Sequence, residues 1–155
     1  MKEKIILISG AVVYKRKKGE KPLWFLVRLG SESNWEIPKT TARRGESSVR
    51  ASIRAMGEQG GMRAKVLEEV GRSNGTATIS GRPIAQRTLY YLMVCKEQNE
   101  VLGYEETEWM TYAKAVKRLE SKREASLLKK AKEILGELDK KRKERKKLEE
   151  QAIAG

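Results

Sequence analysis

A single short helix, enclosed between β-rich segments, is the feature that most constrains the fold of this chain. The helix opens at Gly45-Glu46-Ser47, and Ser47 is the predicted N-cap because its hydroxyl can accept a hydrogen bond from a free amide of the first turn. It ends at Gly60-Gly61, where a C-cap glycine is typical. Three side chains at helical spacing predict one apolar face, which must pack on a sheet: Val49, Ile53 and Met56.

Segments rich in β-branched and aromatic residues supply that sheet. The predicted strands span residues 5–14, 23–29, 65–71, 88–96 and 108–110. Gly10 predicts a bulge or kink in the first strand, and residues 72–82, which include Asn74-Gly75 and Gly81, predict a polar loop. Helices are predicted over 113–120 and from Lys122 onward. The fold class is therefore α/β (α+β), with a mixed β-sheet sandwiched between helices.

The end of the chain carries a dense positive charge. Lysine and arginine total 34 against 21 acidic residues, which gives a net charge of +13. The apolar stripe of the last helix stops after Leu138, which predicts a domain over 1–138 and a basic helical tail over 139–155. A surplus of this size favours polyanionic partners such as RNA or nucleotides, although a solvated helix end is the alternative. The residues predicted to contact a nucleic-acid backbone are Lys140, Lys141, Arg142, Lys143, Arg145, Lys146 and Lys147.

The cysteine and histidine content excludes several kinds of chemistry. Histidine is absent and Cys95 is the only cysteine, so Ser-His and Cys-His catalysis, an internal disulfide and a Cys/His zinc site are all excluded. Cys95 is expected to be a small buried apolar residue. The opening Met1-Lys-Glu-Lys and the apolar stretch after it lack the processing site of an export signal. No run has the length of a membrane span, and we expect a cytoplasmic protein without membrane contact.

The segment Trp35-Glu36-Ile37-Pro38-Lys39, followed by Gly45-Glu46 and Arg54, resembles the Nudix hydrolase family. The family's sequence motif, the Nudix box, corresponds to residues 40–62 and aligns without insertion or deletion. Glu46, Arg54 and Glu58 stand at matching positions, and Gly61-Met62 closes the motif. Thr40 stands at the box's first glycine. The resemblance extends over residues 5–138. The Tyr90-Tyr91 strand and the acidic turn before Trp109 look like the diadenosine tetraphosphate hydrolase branch. The implied architecture is the Nudix fold with an extended basic C-terminal helix.

The resemblance also implies a magnesium site that this box has largely lost. The family places three carboxylates at positions corresponding to 55, 58 and 59, which share one face of a helix. Here those positions hold Ala55, Glu58 and Gln59. Glu58 is the residual catalytic and metal-binding candidate, and Glu105 or Glu106 is a weak second one. The favoured function requires no cofactor, whereas an active enzyme would require magnesium.

Basic side chains surround the depleted box. Arginine forks match phosphate oxygens, so these residues are predicted to bind a phosphate chain, although an exposed solvated face is the alternative: Lys39, Arg43, Arg44 and Arg50. One of Tyr90 and Tyr91 is predicted to stack on a base. The resemblance implies that Glu46 and Arg54 form a structural ion pair.

Three functions follow from these features. The favoured one is a catalytically impaired Nudix-fold protein that binds RNA or a nucleotide, as a subunit of a ribonucleoprotein. The second is a divergent magnesium-dependent hydrolase that cleaves dinucleoside polyphosphates or related nucleoside diphosphate derivatives. The third is a structural domain for dimerisation or partner binding, with a homodimer or larger assembly.

Overall fold

The computed structural model describes residues 4–154. The first three residues of the predicted domain (1–138) and the last residue of the predicted tail (139–155) lie outside this range. Within the described range, six strands and three helices follow each other: β1 (Ile5–Lys15), β2 (Leu23–Arg28), β3 (Lys39–Thr41), α1 (Ser48–Glu58), β4 (Met62–Ile79), β5 (Arg82–Gln98), β6 (Glu106–Met110), α2 (Tyr112–Arg118) and α3 (Lys122–Ala154).

The strands form one mixed sheet in the order β4-β5-β1-β2-β6, and β3 adds to β1. β1 and β5 are parallel from Ile5↔Ala85 to Tyr14↔Val94, whereas the other pairs are antiparallel. Each face of the sheet has its own core because side chains alternate along a strand. Ala11 and Val13 pack with α1 residues on one face, and Val12 packs with α3 residues on the other. The predicted fold class is confirmed.

Two local predictions about the strands are wrong. Residues 72–82 are not a loop, because β4 and β5 continue as a hairpin closed by the two residues Ser80 and Gly81. Both have positive φ, 51° and 77°, as a type I′ turn requires. β1 has no bulge at Gly10. A Cβ there would lie 2.5 Å from the Tyr90 ring, so the glycine permits close packing of that ring.

The apolar face predicted for α1 is also wrong. Ser47 caps the helix as expected, accepting from the Arg50 amide, and Gly61 follows the helix with φ of 62°. However, Val49 and Ile53 are exposed. The buried face consists mainly of small residues, which bring the helix close to the sheet: Ser48, Ala51, Ser52, Ala55 and Met56.

The last helix continues well beyond the body of the domain. Leu128, Ala131 and Leu135 are its buried apolar residues, and Leu138 is the last side chain packed on the core. From Lys140 to Ala154 every residue is exposed, yet the helix is unbroken. The apolar packing of the helix therefore ends at Leu138, and the division into a domain over 1–138 and a tail over 139–155 stays a prediction. Among residues 4–154, no helix combines the length and apolar character needed to cross a membrane.

Candidate functional site

A bidentate ion pair between Arg54 and Glu46 fixes the segment between β3 and α1. Arg54 donates from Nε and Nη2 to the two carboxylate oxygens of Glu46 at 2.8 and 2.9 Å, and Nη2 also reaches the Thr41 carbonyl at 3.2 Å. The Arg43 amide donates to Glu46 Oε1 at 3.0 Å. The hydrogen bonds from Arg54, and then that from Arg43, lower the pKa of Glu46 to about 2. Glu46 and Arg54 thus form the structural pair predicted for them.

The three positions where the resemblance implies carboxylates have different surroundings. Ala55 is buried, with 2% of its surface exposed. Glu58 is exposed, and its carboxylate lies 3.5 Å from Arg43 Nη2 and 3.8 Å from Arg54 Nη1. Gln59 Oε1 accepts a hydrogen bond of 3.0 Å from the Tyr104 hydroxyl. Of the three positions at which metal ligands are implied, Glu58 therefore has two basic side chains beside it and Gln59 is bonded to a hydroxyl.

These residues do not fit the family's metal centre. Magnesium prefers several hard oxygen ligands, and converging carboxylates are the usual protein contribution. Within residues 4–154, no group of three or more histidine, cysteine, aspartate or glutamate side chains could hold a metal ion. Glu106, one of the two candidates for a second ligand, is engaged elsewhere, since its Oε2 accepts from Arg28 Nε at 2.6 Å.

A polar cleft of about 540 Å³ lies beside this segment, across β1, β3, β4 and β5. We call it the strand cleft, and its walls include Ile8, Lys39, Thr40, Thr41, Ser73, Gln86, Thr88, Tyr90 and Arg123. A second hollow, also of about 540 Å³, borders the start of the box and is lined by Arg43 and Arg44 among others. Thr41 borders both hollows, so the strand cleft lies next to the basic start of the box.

A buried carboxylate at the start of α3 lies behind the strand cleft and bonds to two of the side chains that line it. Glu124 is 4% exposed. It accepts from the Ile37 amide at 3.0 Å, from Lys39 Nζ at 2.6 Å and from the Tyr90 hydroxyl at 3.2 Å. Lys39 Nζ also donates to the Ile37 carbonyl at 2.8 Å. The group links α3 to the segment that precedes the box.

The family is decided by a match to the NUDIX domain model over residues 7–131. The chain belongs to the Nudix family. A comparison with curated protein sequences finds no match.

Solved Nudix structures share the fold at low sequence identity. A Caenorhabditis elegans Ap4A hydrolase, in a binary complex, is 20% identical with a TM-score of 0.66, covering 84% of this chain and 98% of the hydrolase chain. The NUDIX domain of Shewanella oneidensis NrtR, complexed with ADP-ribose, is 15% identical with a TM-score of 0.64, over 86% and 90% of the two chains. A Nitrosomonas europaea NUDIX hydrolase is 13% identical with a TM-score of 0.59, over 82% and 88%.

The residues predicted to bind a ligand fall into two groups around the Nudix box. Arg43, Arg44 and Arg50 are exposed, and Arg44 and Arg50 have no ion pair with another residue in the range 4–154. Lys39 differs, because Glu124 neutralises its charge within the fold. It lines the strand cleft, and its predicted role in ligand binding stays a prediction.

Tyr90 and Tyr91 are both buried, on opposite faces of the sheet. The Tyr91 hydroxyl lies 2.5 Å from the Ser48 hydroxyl, and the Tyr90 hydroxyl contacts Glu124. Burial, followed by the charge of Glu124, raises the pKa of Tyr90. With 4% and 5% of their surfaces exposed, neither ring offers an open face. Stacking on a base stays a prediction, and it would require the ring to be uncovered.

The sequence did not indicate a role for Arg123, which lines the strand cleft, or for Glu124, which lies behind it. Glu124 stands three residues after Ser121, a spacing typical of a helix capping box. Ser121 does accept from the Glu124 amide at 3.2 Å, but the Glu124 carboxylate turns to β5 and the pre-box segment instead. Arg123 had no distinguishing signal, because it is one of many basic residues in the second half of the chain.

Proposed function

We propose that this Nudix-family chain binds a nucleoside diphosphate derivative, with the nucleoside in the strand cleft and the phosphates on the basic start of the box. The observation that carries the proposal is the loss of two carboxylates, at Ala55 and Gln59, from a box that has basic groups around it. Arg43 and Arg44 line the hollow next to the strand cleft, and Glu58 has Arg43 and Arg54 within 4 Å. Fixed guanidinium charges can hold phosphate oxygens without a metal ion.

The size and lining of the strand cleft suit such a ligand. Small-molecule sites are concave, with volumes of roughly 300–1,000 Å³ and a few polar groups that fix orientation. The cleft offers the Thr40 and Thr88 hydroxyls, the Gln86 amide and the Arg123 guanidinium. One structural neighbour is named as a hydrolase of Ap4A and another is complexed with ADP-ribose, and both molecules contain an adenosine joined to a phosphate chain, which supports this ligand class.

Binding of ADP-ribose and Ap4A by calorimetry tests the proposal. We expect binding to persist in EDTA, and the double variant Arg43→Gln/Arg44→Gln to weaken it by about tenfold, a loss typical of removing charge-assisted hydrogen bonds. Lys117→Gln/Arg118→Gln removes the same charge from exposed positions of α2 and should bind like the parent chain. Binding that requires magnesium, or equal losses in both variants, would overturn the proposal.

A second candidate is a divergent Nudix hydrolase of the same ligand class. It is favoured by family membership and by Glu58, which is exposed at the position of a family carboxylate. Phosphate release with magnesium or manganese tests it, with Glu58→Gln as the matched control. Turnover that disappears in Glu58→Gln would make hydrolysis the function, whereas turnover equal to that of the control would leave binding alone.

A further inference from the structure

A second basic feature lies at the far end of the sheet from the strand cleft. A groove of about 400 Å³ is formed by the end of β1, the turn after it and the end of β5. We call it the basic groove. Five of its lining residues are cationic and two are acidic, and the cationic ones are Lys15, Arg16, Lys17, Lys21 and Lys96.

The long helix α3 passes directly beside the basic groove. Arg16 Nη1 donates to Asp139 Oδ2 at 2.8 Å, which joins the end of β1 to the point where the packed part of the helix ends. Burial raises the pKa of the Tyr14 phenol, while the positive charges of Arg16 and Arg142 act in the opposite direction. Arg142 lies about one helical turn beyond Asp139, so the Arg16–Asp139 ion pair holds it near the end of β1 and orients the exposed helix relative to the groove.

Helical spacing extends the groove along α3. Residues three and four apart lie on the same side of a helix, so Arg142, Lys143 and Lys146 follow Asp139 on one face. We call this face the tail stripe. Over residues 140–147 the helix carries seven basic residues and one acidic residue. The tail stripe begins one turn beyond the Arg16–Asp139 pair at the edge of the basic groove, which places the two sets of cations next to each other.

Among the residues that form the basic groove and the tail stripe there is no aromatic ring. Single-stranded nucleic acids are held by stacking on exposed aromatic rings, but Tyr14 and Trp24 are buried here. The Lys15 ammonium lies 4.4 Å from the Trp109 ring centroid and covers that ring. The tail from 140 to 154 contains Gln151 as its single amide side chain. Lysine and arginine instead contact phosphates, which position a nucleic acid without reading its sequence.

We infer that the basic groove and the tail stripe bind the phosphate backbone of double-stranded RNA, independently of its sequence. A-form RNA is recognised mainly by its shape and its phosphates, because its deep major groove does not admit side chains that read bases. A helix held at a fixed angle to a basic groove offers cations in two directions, which suits contacts on both sides of a shallow minor groove. This function is separate from the nucleotide site, since β5 contributes residues 86–90 to the strand cleft and 95–98 to the basic groove.

Titration of the full chain with an RNA duplex at several salt concentrations tests the inference. The tail-stripe variant is Arg142→Gln/Lys143→Gln/Lys146→Gln. Its matched control, Lys130→Gln/Lys141→Gln/Arg145→Gln, removes the same three charges from the other side of α3. We expect the tail-stripe variant to lose about tenfold or more in affinity and to have a shallower salt dependence, because fewer counterions are released. The control should lose about threefold or less.

Further arms of the experiment separate the sources of phosphate. A DNA duplex of the same sequence, single-stranded RNA and vesicles of anionic lipid should each bind more weakly than the RNA duplex. The Lys17→Gln/Lys21→Gln variant of the groove should weaken RNA binding while leaving the affinity for ADP-ribose unchanged. Equal losses in the tail-stripe and control variants would overturn the inference, as would equal or tighter binding of DNA, single-stranded RNA or vesicles.

Discussion

Two carboxylates in this protein, Glu58 and Glu124, differ in what surrounds them. Glu58 is exposed on α1, and its nearest cations lie 3.5 and 3.8 Å away, beyond ordinary hydrogen-bond lengths. Glu124 is buried at the start of α3 and accepts from an amide, an ammonium and a hydroxyl. A carboxylate in water needs no protein partner, whereas a buried one is stable only when hydrogen bonds replace its hydration.

The contrast shows that the carboxylate within the family's motif, Glu58, is not the one that holds the structure together, which is Glu124. The Nudix box draws attention to Glu58, yet its surroundings exert little constraint on it. Glu124 belongs to no box and nevertheless joins α3, β5 and the pre-box segment. Lys39 and Tyr90, which line the strand cleft, are both held by Glu124. The shape of the cleft therefore depends on a residue distant from the box in sequence.

The largest expected effect comes from removing the buried carboxylate. Glu124→Ala would leave the Ile37 amide and the Tyr90 hydroxyl without their acceptor and the Lys39 ammonium without its counter-ion. The free energy of unfolding should fall by about 3 kcal/mol or more, measured by urea denaturation. Glu133→Ala, at an exposed position of the same helix, is the control and should change it by less than about 0.5 kcal/mol. Similar losses in the two variants would remove the distinction drawn above.

A carboxylate placed into the box tests the buried environment of α1 directly. Ala55→Glu would place a charged group against the sheet and should destabilise the fold by about 2 kcal/mol or more. Gln59→Glu should stay within about 1 kcal/mol of the parent chain, because the Tyr104 hydroxyl can donate to a carboxylate as it does to the amide. Thermal unfolding of both variants checks the difference. A stable Ala55→Glu chain would mean that this position reaches solvent.

The Glu46–Arg54 pair is expected to contribute to the free energy of unfolding in a pH-dependent way, by an amount between those of Glu124 and Glu58. The pKa of Glu46 is lowered from its ordinary 4.5 to about 2 in the folded chain. The unfolded chain therefore binds the proton more readily, and the stabilisation is complete above about pH 4.5 and is lost as the pH falls toward 2. Urea denaturation across this window should show a steeper loss for the parent than for Glu46→Gln. Parallel curves would contradict the assigned ion pair.

The smallest effect is expected at Glu58. Its contacts with Arg43 and Arg54 are long and exposed, and pairs of this kind contribute little to stability. Glu58→Gln should change the free energy of unfolding by less than about 0.5 kcal/mol. A loss comparable with that of Glu124→Ala would show that Glu58 has a structural role after all.

Features that follow from local patterns could be predicted from the sequence. The five predicted strands, the three helices and the mixed sheet are present, and so are the Ser47 cap and the glycine after α1. The Glu46–Arg54 pair also forms as the resemblance implied. Each of these depends on residue type and short spacing, which a sequence displays directly.

Features that depend on packing between distant segments could not be predicted. Val49 and Ile53 have helical spacing but face solvent, because the sheet admits α1 closely only along its small residues. Asn74-Gly75 has the composition of a turn, yet it pairs with Gln86 and Arg87 in the long hairpin. The partners of Glu124 lie 34 to 87 residues away, and no local pattern specifies them.

The irregular pairing of β4 has a consequence for the behaviour of the protein at high concentration. β4 is an edge strand of 18 residues, and its register with β5 shifts at three places between Arg63 and Gly71. Such irregularities twist an edge, and charged side chains along it oppose the approach of another strand. Arg63, Lys65 and Glu68 supply such charges. A straight, uncharged edge of this length would invite neighbouring molecules to extend the sheet from one copy to the next, and these irregularities discourage that route to aggregation.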